Sequence, residues 1–108
     1  MSGAEIKDLR ELMTTGKILW TEHLTIRLRE RGIKRDDVIS CVNNGEVIEE
    51  YPDDMPFPSY LINGYSVSKK PIHVVCAHNP EVNCCVITAY YPDEDKWETD
   101  NKTRKLKE

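Results

Sequence analysis

The chain has 108 residues, of which 31% are charged and 39% are apolar, and its mean hydropathy is -0.59. This size fits one small domain, because a second core would need roughly another hundred residues. No apolar run approaches the roughly 20 residues of a membrane span, and the first residues lack the basic and apolar regions of a signal peptide. We therefore expect a cytoplasmic protein with reduced thiols and no membrane contact.

The net charge of -4 argues against a general nucleic-acid binder, but the charges are unevenly distributed. Residues 1–35 sum to +3 and residues 36–58 sum to -7, while the rest of the chain sums to zero. The early positive charge is concentrated in residues 27–35 and can serve an anion even on an acidic protein. Alternatively, these early bases pair with the acidic stretch at residues 46–54 across the surface.

The first third of the chain has the pattern of short amphipathic helices. Apolar residues at helical spacing predict a helix over residues 4–15, and Gly16 ends it. Residues 18–20 form a brief apolar run that predicts an edge strand. Thr21 is a good N-cap for a helix over residues 22–31.

A further helix follows, and then the period of the pattern changes toward two. Asp36 or Asp37 opens this helix, and the Asn-Asn-Gly sequence that follows Val42 ends it. Strands are predicted by the alternation that comes after it, over residues 46–51, 59–63, 72–78 and 84–91, with the last two joined by a loop at 79–82. The order predicts an α+β fold in which helices cover one face of an antiparallel sheet of about four strands, plus an N-terminal helix.

The last hairpin can be given a register from its loop. If the loop is centred on residues 80–81, the numbers of paired residues sum to 161, so His73 faces Thr88 and Val75 faces Val86. This register places Ile72, Val74, Cys76 and His78 on the core face together with Cys85, Ile87, Ala89 and Tyr91. His73, Thr88 and Tyr90 then lie on the opposite face, toward solvent or a groove. A slip of one residue would reverse the assignment.

Three polar side chains recur at intervals of four residues in the second predicted helix. His23, Arg27 and Arg31 would lie on one stripe of that helix. Histidine can act as acid or base near neutral pH and arginine can clamp a phosphate, so the pattern suits phosphodiester cleavage. The alternative is that these arginines lie along the rim of the core with their stems packed on apolar surface.

A second polar cluster is predicted on the open sheet face. His73, Thr88 and Tyr90 could stack bases or relay protons there, or they could be ordinary strand residues on a wet face. The chain has no phosphate-binding Gly loop, GxSxG or HExxH motif, which argues against ATP use, acyl transfer and zinc hydrolysis.

The four cysteines include no C-x-x-C pair. Cys76, His78, Cys84 and Cys85 are close in sequence and raise the alternative of a zinc site. We expect packing instead, because the thiols lie inside β-branched runs, where free cysteine behaves as a small apolar residue. The sequence therefore predicts no cofactor.

Several short segments of the chain together form a recognisable pattern; they are residues 20–23 with Arg27, 31–33, 45–49, 51–52, 58–61, 71–75, 87–93 and Trp97. In this order they resemble the uncharacterised family catalogued as domain of unknown function 4258. The resemblance extends from about residue 17 to residue 98. His23, Arg27, Arg31 and His73 match polar positions that recur in this family.

This resemblance implies a layout similar to that of RelE-like and BrnT-like ribonuclease toxins. The resemblance supplies no catalytic residue. From the residues themselves, we hypothesise a metal-independent endoribonuclease in which His23 or His73 acts as acid or base, Arg27 and Arg31 hold the phosphate, and Tyr90 stacks on or positions a base. RNA and an antitoxin-like protein are the partners implied. The alternative is a non-catalytic protein-binding or regulatory domain of such a pair.

The resemblance also divides the chain. Residues 1–16 are an N-terminal helical extension, which could cover a sheet edge or mediate contacts in a homodimer. Residues 17–98 are the α+β domain, and residues 99–108 are expected to be a polar, flexible tail with Trp97 docked just before it.

Overall fold

The computed structural model describes residues 2–55, 57–79 and 83–105. They form three helices followed by four strands, and a fifth, short strand lies between the first two helices. In chain order the elements are α1 (Ser2–Thr14), β1 (Ile18–Leu19), α2 (Glu22–Glu30), α3 (Arg35–Asn44), β2 (Glu46–Tyr51), β3 (Ser59–Tyr65), β4 (Pro71–Asn79) and β5 (Asn83–Tyr90).

The described sheet has five strands in the order β1-β5-β4-β3-β2. Strands β2 to β5 form the antiparallel meander expected from the sequence, but β1 pairs parallel to β5 through Ile18 and Leu19. The short strand predicted at residues 18–20 is present as β1, but the described strands form a mixed sheet of five and not the antiparallel sheet of about four that was expected. A two-residue strand is too short for its sequence to show which neighbour it joins or in which direction.

Local signals explain where α2 and α3 begin. The Thr21 hydroxyl accepts a hydrogen bond from the Leu24 amide at 3.1 Å, as its N-cap position predicts. Helix α3 starts earlier than expected, because Lys34 is the N-cap and the Asp37 carboxylate accepts a hydrogen bond from the Lys34 amide at 3.0 Å. Asp37, the third residue of α3, thus caps the N-terminus of the helix through its side chain.

The three helices pack on one face of the sheet, and the hydrophobic core lies between them. Helix α1 buries Ile6, Leu9 and Met13 there, so the N-terminal extension is part of the core. The other core residues come from α2, α3, the segment between them and the sheet; they are Leu24, Leu28, Ile33, Val38, Cys41, Val42, Tyr60, Ile62, Ile72, Val74, Cys76, Cys84, Val86 and Ala89. The layout of helices over one face is confirmed.

The register of the β4–β5 hairpin differs from the predicted one. Cys76 pairs with Val86, and after a bulge His73 pairs with Tyr90, so the partner numbers sum to 162 and then to 163. Cys84 and Val86 therefore face the core, whereas Cys85 is half-buried and Ile87 is exposed. The one-residue difference from the predicted register turns the side chains of the first half of β5 to the opposite face of the sheet. The bulge adds one more residue, so Ala89 lies on the core face as predicted. The predicted loop residues 80–82 lie outside the described residues.

Candidate functional site

The predicted stripe of His23, Arg27 and Arg31 lies on α2 and its C-terminal cap, and all three side chains are exposed. Arg27 forms an ion pair with Glu30, with 3.5 Å between Nη1 and Oε1. His23 and Arg31 are eight positions apart, which corresponds to about 12 Å along the helix axis. The stripe therefore presents its histidine and its last arginine at opposite ends of the helix.

Arg31 reaches from the end of α2 to the outer edge of β5. Its Nη1 atom donates to the Thr88 hydroxyl at 3.0 Å and to the Ala89 carbonyl oxygen at 2.8 Å. Strand β1 pairs with β5 only at Cys84 and Cys85. Among the described residues, Arg31 thus occupies an edge of β5 that no strand covers.

The sheet face opposite the helices carries the second predicted cluster. His73 pairs with Tyr90 across β4 and β5, and their ring centroids are 5.4 Å apart in an edge-to-face arrangement. Thr88 lies two residues before Tyr90 on the same strand. The structure thus brings Arg31, Thr88, Tyr90 and His73 into one strip, while His23 and Arg27 remain on the outer surface of α2.

His73 does not face solvent as expected, because residues 93–105 fold back across the strip. The His73 side chain is 0% exposed, and its Nε2 atom lies 2.7 Å from the Asn101 carbonyl oxygen. The Trp97 ring, itself 3% exposed, contacts His73 with a centroid distance of 4.6 Å. Trp97 docks as its size predicts.

We call residues 93–105 the C-terminal strap. A backbone bridge between Trp97 and Arg104 and a hydrogen bond from the Glu98 amide to the Thr103 carbonyl hold the strap in a hairpin. Residues 99–105 of the expected flexible tail are therefore folded, and residues 106–108 lie outside the described residues.

Two ion pairs attach the strap to β2. Arg104 donates from Nε and Nη2 to the two carboxylate oxygens of Glu49 at 2.7 and 3.0 Å, and Lys102 lies 3.1 Å from Glu46. The Tyr51 hydroxyl also donates to Glu49, at 2.6 Å. Glu46 and Glu49 of the acidic stretch thus pair with late bases. Among the described residues, the early bases of residues 27–35 form no ion pair with this stretch, so that alternative is not supported.

Burial and neighbouring charges shift the pKa values of the titratable side chains in and beside the strip. Burial lowers the pKa of His73, although the contact with the Asn101 carbonyl opposes the shift, so the imidazole is mostly neutral at pH 7. A carbonyl can only accept, so Nε2 carries the proton and Nδ1 is left as an acceptor. The hydrogen bond from Arg104 lowers the pKa of Glu49, and burial raises the pKa of Tyr90.

Two buried acceptors on this face have no hydrogen-bond partner among the described residues, namely His73 Nδ1 and Asn63 Oδ1. Their residues face each other across β3 and β4. The strip therefore holds a neutral histidine whose basic nitrogen is free, which is the form of histidine that can take a proton from a substrate.

The cysteines pack as apolar residues. Cys41, Cys76 and Cys84 are buried, and burial raises the pKa of Cys41 to about 12. Cys84 and Cys85 are consecutive on β5 and point to opposite faces. Within the described ranges, no group of three or more His, Cys, Asp or Glu side chains is placed to hold a metal ion.

Sequence reasoning missed Glu49 and Arg104 as members of this site. Both were assigned to charged segments without a specific partner, and 55 positions separate them. The available signal was Trp97, a large aromatic residue in a polar segment, which indicates that the segment returns to the body of the domain.

The fold and the strip define a small α+β domain with a mixed sheet, one face covered by helices and the other by a C-terminal hairpin. Its family is shown by sequence comparison. Residues 20–91, two thirds of the chain, match the pattern of the family described as Domain of unknown function (DUF4258), and the chain belongs to that family. No curated protein and no solved structure matches it. None of the described helices is long and apolar enough to cross a membrane.

Proposed function

We propose that this domain is a metal-independent endoribonuclease of the toxin type, acting on RNA in the cytoplasm. The observation that carries the proposal is the position of Arg31, whose guanidinium is hydrogen-bonded to the Thr88 hydroxyl. Thr88 is two residues before Tyr90 on β5, and Tyr90 pairs with His73 on β4. An arginine next to a neutral histidine and a tyrosine supplies charge stabilisation, a base and a stacking surface in one place.

The proposed reaction is transfer of a phosphodiester to the neighbouring 2′-oxygen. His73 Nδ1 accepts the proton of the 2′-hydroxyl, the 2′-oxygen bonds to phosphorus, and the bond from phosphorus to the 5′-oxygen breaks. The leaving 5′-oxygen takes a proton from water, and the hydroxide that forms takes the proton back from His73. Arg31 neutralises the charge that develops on the phosphate.

RNA can reach His73 only when the C-terminal strap moves aside, because the strap buries that side chain completely. The strap residues that follow Trp97 are attached mainly by ion pairs at the surface, which are weak compared with core packing. We therefore propose that the described arrangement is the closed form of the enzyme and that the open form binds substrate.

The test is cleavage of a labelled RNA by the full chain in the presence of a metal chelator. We expect fragments with 2′,3′-cyclic phosphate ends, and a loss of about 100-fold or more in rate for Arg31→Ala and for His73→Gln. Lys7→Ala is the matched control, since it removes an exposed cation from α1. Intact RNA with folded wild-type protein would contradict the proposal, as would equal rates for wild type and Arg31→Ala.

A second candidate is a non-catalytic domain that binds an antitoxin-like protein partner. The strap favours it, because Glu46 and Glu49 already hold a basic segment containing Trp97 and a partner segment of similar chemistry could replace it. Co-expression with the product of the neighbouring gene, followed by size-exclusion chromatography, tests this candidate. A stable complex without RNA turnover by any variant would favour it over the enzyme, whereas site-specific cleavage that is lost in His73→Gln would exclude it.

A further inference from the structure

A shallow cleft lies between the end of α2 and the start of α3, apart from the strip on the sheet. Its volume is about 520 Å³. Leu28 and Ile33, both almost fully buried, belong to its apolar floor. The side chains and backbone that line it are Thr25, Leu28, Arg29, Gly32, Ile33, Lys34, Arg35 and Asp36.

Three cations share this cleft with one carboxylate. In the part of the chain that the structure describes, Arg29, Lys34 and Arg35 form no ion pair, whereas Arg27 pairs with Glu30. The nearby Asp37 carboxylate is already used by the backbone amides of Lys34 and Val67. The cleft therefore has a net positive charge that the described residues leave uncompensated, which favours an anionic ligand.

One of the residues that line the cleft also contacts an aromatic ring. The guanidinium of Arg35 lies over the Trp20 ring, 5.0 Å from its centroid. Gly32 has a φ of +69°, and a Cβ built there would meet no heavy atom within 4 Å, so the turn leaves space beside the backbone. An arginine stacked on tryptophan presents a plane on which an aromatic ring can stack further.

We propose that this cleft binds a phosphate ester that carries a flat aromatic group, of the size of a nucleotide. Arg29 and Lys34 hold the phosphate, and the ring lies on the Arg35 plane and the apolar floor. The cleft is on the side of α2 away from the His23 stripe, since Arg29 is about 200° around the helix from both Arg27 and Arg31. The proposal therefore stands whether or not the strip cleaves RNA.

The source of the phosphate ester is a free nucleotide or the 5′-phosphorylated end of an RNA, which have the same chemistry. The test is a titration of the full chain, followed by NMR of the Gly32 and Ile33 amides and the Trp20 indole. The probes are adenosine 5′-monophosphate, adenosine, inorganic phosphate and a short RNA with a 5′-phosphate or a 5′-hydroxyl.

We expect adenosine 5′-monophosphate to shift these signals with saturation below 1 mM, and to bind at least about tenfold more tightly than adenosine or phosphate alone. Lys34→Gln/Arg35→Gln should weaken this binding at least about tenfold, while Lys7→Gln/Lys17→Gln, which removes two exposed charges elsewhere, should not. A 5′-phosphorylated RNA that gives the same shifts supports the proposal and identifies RNA as the source. The same shifts with the free nucleotide alone support it equally and identify the nucleotide.

Absence of shifts with every phosphorylated probe at millimolar concentration would overturn the proposal. Equal binding of inorganic phosphate and nucleotide would also overturn it, because the aromatic group would then contribute nothing. Binding that survives in Lys34→Gln/Arg35→Gln would place the site elsewhere. RNA cleavage by the strip is measured separately, so failure of either proposal is visible without the other.

Discussion

Replacement of Arg104 by alanine should loosen the C-terminal strap. The side chain makes two charge-assisted hydrogen bonds to Glu49 and lies over Trp97 with its Cζ 4.6 Å from the ring centroid. A shielded pair of this kind is worth about 1.5–3 kcal/mol. Because Arg104 is 55% exposed and Glu49 is 25% exposed, we reduce this to about 1 kcal/mol.

The contact with Trp97 adds about 0.5 kcal/mol at an exposed site. The total of about 1.5 kcal/mol should shift the equilibrium for local opening of the strap by about tenfold. Native-state hydrogen exchange measures this directly. The Glu98 and Lys105 amides are suitable reporters, because each donates to a carbonyl within the strap hairpin. Both amides should exchange about tenfold faster in Arg104→Ala.

Two further variants make the measurement specific. Lys105→Ala removes a cation from the same hairpin whose side chain forms no hydrogen bond or ion pair among the described residues, so exchange should stay within about twofold of wild type. Glu49→Gln should resemble Arg104→Ala, and the double variant should be less than additive, since the residues act as a pair. Unchanged exchange in Arg104→Ala would refute the idea that this ion pair holds the strap. If the enzyme proposal is right, the same variant should also cleave RNA faster.

Three other predictions concern stability. Folding lowers the pKa of His73 from 6.5, so below that pH the unfolded chain binds a proton more readily than the folded chain does. The free energy of unfolding should therefore be greatest above pH 6.5 and fall as the pH drops toward the lower pKa of the folded state. Urea unfolding at pH 7.5 and 5.5 should show this loss in wild type and a smaller one in His73→Gln; equal losses would contradict it. Gly64→Ala should lower the free energy of unfolding by about 2–3 kcal/mol, because the new Cβ would press against the Cys41 carbonyl oxygen. Gly16→Ala places its Cβ in open space and should lower the free energy of unfolding by only about 1 kcal/mol, because the residue has a positive φ. Similar costs at both glycines would be inconsistent with close contact at Gly64. Thr21→Ala should lower the free energy of unfolding by about 1 kcal/mol through loss of the α2 cap, with Thr21→Ser as the variant that retains stability; a neutral alanine variant would argue against that cap.

Local rules predicted most of the elements and one sheet face. The Thr21 cap and the Gly32 stop define α2, because both act within a few residues of the helix end. The alternation of Ile72, Val74 and Cys76 places the core face of β4 correctly, since side chains on a strand alternate strictly. These features depend only on neighbours along the chain.

Strand β5 shows where this reasoning stops. Its residues are apolar on both faces over most of its length, so the pattern did not distinguish Cys84 and Val86 from Cys85 and Ile87. The register depends instead on pairing with β4 and on the bulge beside Val75. The parallel pairing of β1 with β5 is a similar case, because two residues carry no periodic signal.

For the candidate site, the amino-acid sequence was enough to show which residues are capable of chemistry. It identified the stripe of His23, Arg27 and Arg31 and the cluster of His73, Thr88 and Tyr90, because residue type and local spacing are enough for that. The fold, in contrast, brings Arg31 to the second group, keeps His23 apart from it, and covers His73 with Trp97 and Asn101. The sequence does not show these features because burial and ion pairing depend on distance in space, and the residues that bury or pair these groups lie tens of positions away along the chain.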